Sequence, residues 1–114
     1  MKSLFIGRYQ PFHGGHKKLM EVELNEGNDV VIALRDTEID ESNPYTISER
    51  KVFIHREMQE WQGRYEIVII PDIERVCYGR GVGWDIRQIT LDEETEAISA
   101  TKIRNEKDSE DNSI

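Results

Sequence analysis

Three short apolar runs constrain this chain more than anything else in it: Leu4-Phe5-Ile6, Val30-Val31-Ile32-Ala33-Leu34, and Tyr65 to Ile70. Runs of this length and composition suit strands covered on both faces, the condition met in parallel sheets. Between them the periodicity changes. His16 to Glu26 carries Leu19, Met20, Val22 and Leu24 on one broad arc, with Gly27 set as a C-terminal stop, so a helix is predicted there. A second helix is predicted from Thr46 to about Trp61. Its start is the capping box Thr46-Ile47-Ser48-Glu49, and Ile47, Ile54, Met58 and Trp61 recur at helical spacing. Arg50 falls inside that apolar stripe, an unexpected place for a charge. The polar stretch Arg35 to Tyr45, with Asn43-Pro44 as a turn signal, reads as a loop, and Pro71 stops the third strand. Strands alternating with helices imply βαβ units. With Val76-Cys77-Tyr78 as a fourth strand, the expectation is an α/β domain whose parallel sheet has about five strands and helices on both faces.

The 114 residues, 37% of them hydrophobic, suit one domain. The expected limits are residues 1–104, with an acidic, fraying tail over residues 105–114. A net charge of −8, from 15 basic and 23 acidic residues, argues against nucleic acid as a partner, which demands many Lys and Arg on one face. Small anions need only a local positive pocket, and basic residues gather between Arg8 and Lys18, at Arg50 and Lys51, and at Lys102 and Arg104. No stretch approaches the ~18 apolar residues of a membrane span. The run from Met1 to Ile6 is too short for a signal peptide, and the lone Cys77 has no internal disulfide partner, so a cytoplasmic protein is expected.

In parallel sheets ligands sit beyond the carboxyl ends of the strands. The string Gly7-Arg8-Tyr9-Gln10-Pro11-Phe12-His13-Gly14-Gly15-His16 leaves the first strand at that end and runs into a helix. A helix N-terminus presents unpaired N–H groups and partial positive charge, which favours phosphate. Gly14 and Gly15 let the backbone approach a ligand closely, and His13 and His16 are spaced to converge on one anion. The plainer reading makes both histidines satisfied polar residues at a helix cap. A metal site would need further soft ligands nearby, and the sequence has none. Gly79 to Gly83 is a glycine-rich loop, but the first βα turn is already taken and no convincing helix follows Gly83, which removes a dinucleotide reading.

The whole string resembles the His-x-Gly-His signature of the nucleotidyltransferase superfamily. In its Gly-Arg-aromatic-Gln-Pro-Phe form it looks most like the archaeal-type nicotinamide mononucleotide adenylyltransferases. A second stretch, Thr95-Glu96-Ala97-Ile98-Ser99-Ala100-Thr101-Lys102-Ile103-Arg104, resembles the family's second signature, Ile-Ser-x-Thr-x-x-Arg or Lys. The resemblance implies a Rossmann-like domain and transfer of a nucleotidyl group from a nucleoside triphosphate, ATP or CTP, to a small phosphomonoester, with pyrophosphate released. It implies catalytic roles for His13, His16 and Arg8. It also implies nucleotide contacts from Gly7, Gln10, Gly15, Arg50, Gly79, Ser99, Thr101 and Arg104. Mg²⁺ bridging the phosphates is expected, with no carboxylate to name as its ligand. Trp84 is open between stacking on a base and a place in the core, Cys77 reads as structural, and His55 as a surface residue.

The first motif points to AMP transfer. The short length is more like the compact, dimeric glycerol-3-phosphate cytidylyltransferase type, although Glu94 and Ala97 stand where that type carries Arg and Gly. From another class, a non-catalytic nucleotide-binding module remains an alternative, separated from the enzyme by pyrophosphate release.

Overall fold

The computed structural model describes residues 1–80 and 83–91. Its elements run β1 (Lys2–Gly7), α1 (Gly14–Asn25), β2 (Asp29–Asp36), α2 (Ile47–Glu57), a 3₁₀ turn at Gln59–Trp61, and β3 (Tyr65–Pro71). The strands form one parallel sheet in the order β1-β2-β3, with Phe5 beside Ile32 and Ile32 beside Ile67. An α/β chain with a parallel sheet is thus present, and every strand after β1 is reached through a helix, because parallel neighbours need a crossover.

The helix starts follow from local chemistry. Thr46 accepts from the Glu49 N–H, and the Glu49 carboxylate accepts in return from the Thr46 N–H, the reciprocal cap that the sequence predicts. At the end of α1 the backbone turns through Gly27 at φ +91°, a left-handed value that glycine adopts without penalty. The second helix stops earlier than its apolar spacing suggests. It tightens into the 3₁₀ turn after Met58, which still delivers Trp61 to the core edge.

Both helices lie on one face of the sheet. Met20 and Leu24 of α1 and Ile54 and Met58 of α2 pack with Val30, Ile32 and Leu34 of β2, and Phe5 and Ile67 flank them. Burying each such side chain contributes about 1.5–3 kcal/mol. On the other face Leu4, Ile6 and Val68 are exposed at 60%, 39% and 37%. The expectation of helices on both faces is therefore met on one face only among the described residues.

The expected five strands are likewise three among the described residues. Val76, Cys77 and Tyr78 do not form a strand. Val76 and Tyr78 are 67% and 64% exposed, and with no strand among the described residues to pair their backbone, β propensity alone does not hold an extended ladder. Cys77, expected to be structural, is a free, exposed thiol, and Trp84 is 81% exposed, which removes its core reading. His55 is on the surface as expected, its Nδ1 2.6 Å from the Tyr65 hydroxyl. Arg87 reaches back to the end of α1, with Glu26 at 2.7 Å and Glu23 at 3.4 Å. Among the described residues, no helix is long and apolar enough to cross a membrane.

Candidate active site

β1 ends at Gly7, and the six residues from Arg8 to His13 cross the carboxyl edge of the sheet before α1 begins. That crossing is tightly packed. Tyr9 is buried and takes φ +51°, an uncommon value for a residue with a side chain, and its ring lies over Gly7. A Cβ on Gly7 would stand 2.9 Å from the Tyr9 ring, so glycine is needed there for space. Phe12 is also buried and tilts against Tyr9 with ring centres 5.5 Å apart.

These two rings wall in His16, Tyr9 edge-on at 5.0 Å and Phe12 at 5.3 Å. His16 in turn stacks on His13 with ring centres 3.8 Å apart and planes inclined by 24°. The two imidazoles therefore share one surrounding at the helix start, as the motif predicts. They are also the cap of that helix. His13 is the N-cap residue, and its Nδ1 accepts from the Gly15 N–H at 3.0 Å. The Nδ1 of His16 accepts from the His13 N–H at 3.1 Å. The plainer reading, histidines as cap residues, is thus met by both rings.

The caps fix the chemistry. A nitrogen that accepts from a backbone N–H carries no proton, so both rings are assigned the neutral tautomer with hydrogen on Nε2. Burial reinforces this. It lowers the His13 pKa below the ordinary 6.5, and it lowers that of His16 to about 3, with His13's charge pushing the same way. The positive end of α1 acts in the same sense. At neutral pH the pair offers two uncharged Nε2–H donors beside the amides of a helix N-terminus, an arrangement suited to phosphate oxygens. Burial also holds the Tyr9 hydroxyl protonated far above its ordinary range.

The loop Thr37 to Thr46 is tied to this crossing by hydrogen bonds. Arg8 extends toward it, Nη1 donating to the Asn43 carbonyl oxygen Oδ1 at 3.2 Å. Asn43 is held by Asp40, whose carboxylate accepts from the Ser42 and Asn43 amides at 2.9 and 2.8 Å and from Asn43 Nδ2 at 3.0 Å. Gln10 joins the same two loops from beneath. It is 1% exposed, its Oε1 accepts from Tyr45 N–H at 2.9 Å, and its Nε2 donates to the Tyr45 carbonyl at 3.1 Å and the Thr37 hydroxyl at 3.2 Å.

The described residues thus bring together Gly7, Arg8, Gln10, His13, Gly15, His16 and Arg50 at one end of the sheet. Gly79 lies in an exposed bend where an added Cβ would meet nothing within 4 Å. Ser99, Thr101 and Arg104 lie outside the described residues. The sequence does not mark Tyr9, Thr37 or Asn43 as parts of this site. Tyr9 offers only an aromatic ring inside the motif, and Asn43 only a turn signal, whereas Asn43 meets Arg8 across 35 positions of sequence, and no local signal reports such a contact.

No protein-family model matches the chain. Among curated proteins it is similar to "Nicotinamide-nucleotide adenylyltransferase" of Thermococcus sibiricus, 37% identical over 78 residues that cover 64% of this chain and 42% of the relative. It is similar to the protein of the same name in Methanococcus aeolicus, 34% identical over 76 residues, 65% of this chain and 44% of the relative. A third of that name, from Thermococcus kodakarensis, is 34% identical over 77 residues, 63% of this chain and 41% of the relative. The chain therefore spans less than half the length of these relatives. Their shared name bears out the resemblance of the first motif to archaeal-type adenylyltransferases.

Proposed function

We propose that this chain carries the catalytic part of a nucleotidyltransferase that moves AMP from ATP to a small phosphomonoester, with nicotinamide mononucleotide the acceptor its relatives' names favour over a polyol phosphate. The observation that carries the reading is the stacked His13–His16 pair, 3.8 Å between ring centres, each ring locked as a neutral Nε2–H donor at the start of α1.

The chemistry asks little covalent work of the protein. An oxygen of the acceptor phosphate attacks the α-phosphorus of ATP, the new P–O bond forms as the bond to the bridging oxygen breaks, and pyrophosphate leaves with the electron pair. A phosphate is already anionic near neutrality, so no Ser or Cys nucleophile is needed, and rate comes from positioning and from stabilising charge on the phosphate oxygens. His16 and His13 donate to the α- and β-phosphates, His16 foremost at the transition state. Gly15 keeps the helix start open to the phosphates, and Arg8 neutralises oxygens of the acceptor or of departing pyrophosphate.

Mg²⁺ enters as part of the substrate. Among the described residues no three His, Cys, Asp or Glu side chains converge on a point that would hold a metal, whereas a triphosphate itself supplies oxygen ligands to Mg²⁺. Ser99, Thr101 and Arg104 stay proposed contacts to the β- and γ-phosphates, and Gly79 a proposed neighbour of the base or ribose. A homodimer in the cytoplasm is the proposed setting.

The test is release of pyrophosphate by the purified chain with MgATP and nicotinamide mononucleotide, alongside MgCTP and glycerol 3-phosphate. Turnover confined to the first pair supports adenylyl transfer. Saturable ATP binding with no pyrophosphate from any pair, unchanged in His16→Ala, would instead establish a binding module.

A further inference from the structure

The hydrogen-bonded ladder between β1 and β2 ends at the pair Gly7 and Leu34. One step further stand Arg8 and Arg35, whose carbonyls are the first to lie beyond that ladder. Arg50 meets both. Its Nη1 donates to the Arg8 carbonyl at 2.9 Å and to the Arg35 carbonyl at 2.6 Å, and its Nε donates to the Thr46 carbonyl at 3.3 Å. The residue is 0% exposed.

A buried cation is ordinarily matched by a carboxylate, because desolvation costs several kcal/mol that something must offset. No described acidic group lies within ion-pair distance of Arg50; Asp36 acts on it only through space. Carbonyl dipoles from three chain segments take that place: the catalytic loop, the end of β2 and the cap of α2. A planar guanidinium suits this task, since its donors point in fixed, divergent directions, while a lysine offers one compact group. This also accounts for an arginine in the middle of an apolar stripe.

We propose that Arg50 is a positioning residue: its guanidinium replaces the missing rung between Arg8 and Arg35 and fixes the backbone from which the Arg8 side chain reaches the site, without touching substrate. Chelating phosphate, the role its sequence position suggests, would take this donor from the Arg8 carbonyl and leave the Arg35 carbonyl with the Thr37 N–H. The consequence for Arg8 rests on the nucleotidyl-transfer reading; the clamp itself does not.

The test uses the full chain with two readouts. Hydrogen exchange is followed over residues 7–13 and 35–46 in wild type, Arg50→Lys and Arg50→Ala. Binding of inorganic tripolyphosphate is measured in a double-mutant cycle of Arg50→Ala with Arg8→Ala. Loss of the clamp should speed exchange in both segments about tenfold or more in Arg50→Ala and less in Arg50→Lys, with the body of α1 unaffected. In the cycle Arg50→Ala should weaken tripolyphosphate binding on its own, yet change it less than about twofold once Arg8 is gone. Unchanged exchange overturns the proposal, as do fully additive binding losses, which mean that Arg50 contacts phosphate itself. If Arg50→Ala does not fold, Arg50→Lys carries both readouts. If wild type binds no tripolyphosphate, the nucleotidyl-transfer reading fails and the exchange readout alone decides the clamp.

Discussion

His13 and His16 cap the same helix for each other: the His16 ring accepts the His13 N–H at 3.1 Å while the His13 ring accepts the Gly15 N–H at 3.0 Å, and the two rings stack. The cap requires both Nδ1 atoms to be unprotonated, and the same requirement puts the ring hydrogen of each on Nε2. The capping role of the pair and its proposed chemical role are therefore separable by choosing substitutions that keep one and lose the other.

Asn at position 13 is such a choice. An asparagine caps a helix as well as any residue, so His13→Asn should leave the denaturation midpoint near that of wild type, whereas His13→Ala should lose about 0.5–2 kcal/mol. Both should lower kcat, by about 10²–10³ if the lost Nε2–H stabilises the transition state. Equal activity in His13→Asn and wild type would remove the imidazole from the chemistry.

Acid should unfold this protein partly through His16. Its pKa falls from 6.5 in the open chain to about 3 in the fold, so the folded state binds fewer protons between those values. The stability tied to the neutral ring is then complete above pH 6.5 and is lost as pH falls toward 3. Urea midpoints from pH 8 down to 4 should drop more steeply in wild type than in His16→Gln, which keeps an acceptor at the third helical position but cannot titrate. Parallel curves would show that His16 is not held neutral.

Gly7→Ala tests the packing under the loop that follows β1. The new methyl meets the buried Tyr9 ring at 2.9 Å, and the ring is itself confined by Phe12 and His16. Overpacking of this kind costs about 1–3 kcal/mol, read as a lower melting temperature. A variant as stable as wild type would mean that the ring shifts freely.

Gln10→Leu has similar volume but cannot bond to Tyr45 or Thr37, which meet its amide within 3.2 Å. Removing one partner of buried polar groups costs about 1–3 kcal/mol. Faster exchange at the Tyr45 amide should accompany the loss. A stable variant with Tyr45 still protected would show that the loops hold together without this side chain.

Much of the fold was written locally. The three runs around Phe5, Ile32 and Ile67 became the three parallel strands of the described chain, and the capping box at Thr46 and the stop at Gly27 act where the sequence puts them. These signals are legible because helix caps, turns and strand runs depend on neighbours a few residues apart. The run Val76-Cys77-Tyr78 misled for the same reason: its local preference is extended, but a strand exists only with a partner, and pairing is not a local property.

By itself, then, the sequence determined the α/β plan, the helix limits to within a few residues, and the concentration of arginine, imidazole and glycine at the end of the first strand. Only the tertiary structure decided which atoms of those groups remain available. Burial and backbone donors settled the tautomers of His13 and His16, and carbonyls brought together from positions 8, 35 and 46 claimed the guanidinium of Arg50. Residue types and their spacing give the inventory of donors and acceptors. How each is spent is fixed by contacts between segments far apart in the chain, where desolvation makes every polar atom find a partner.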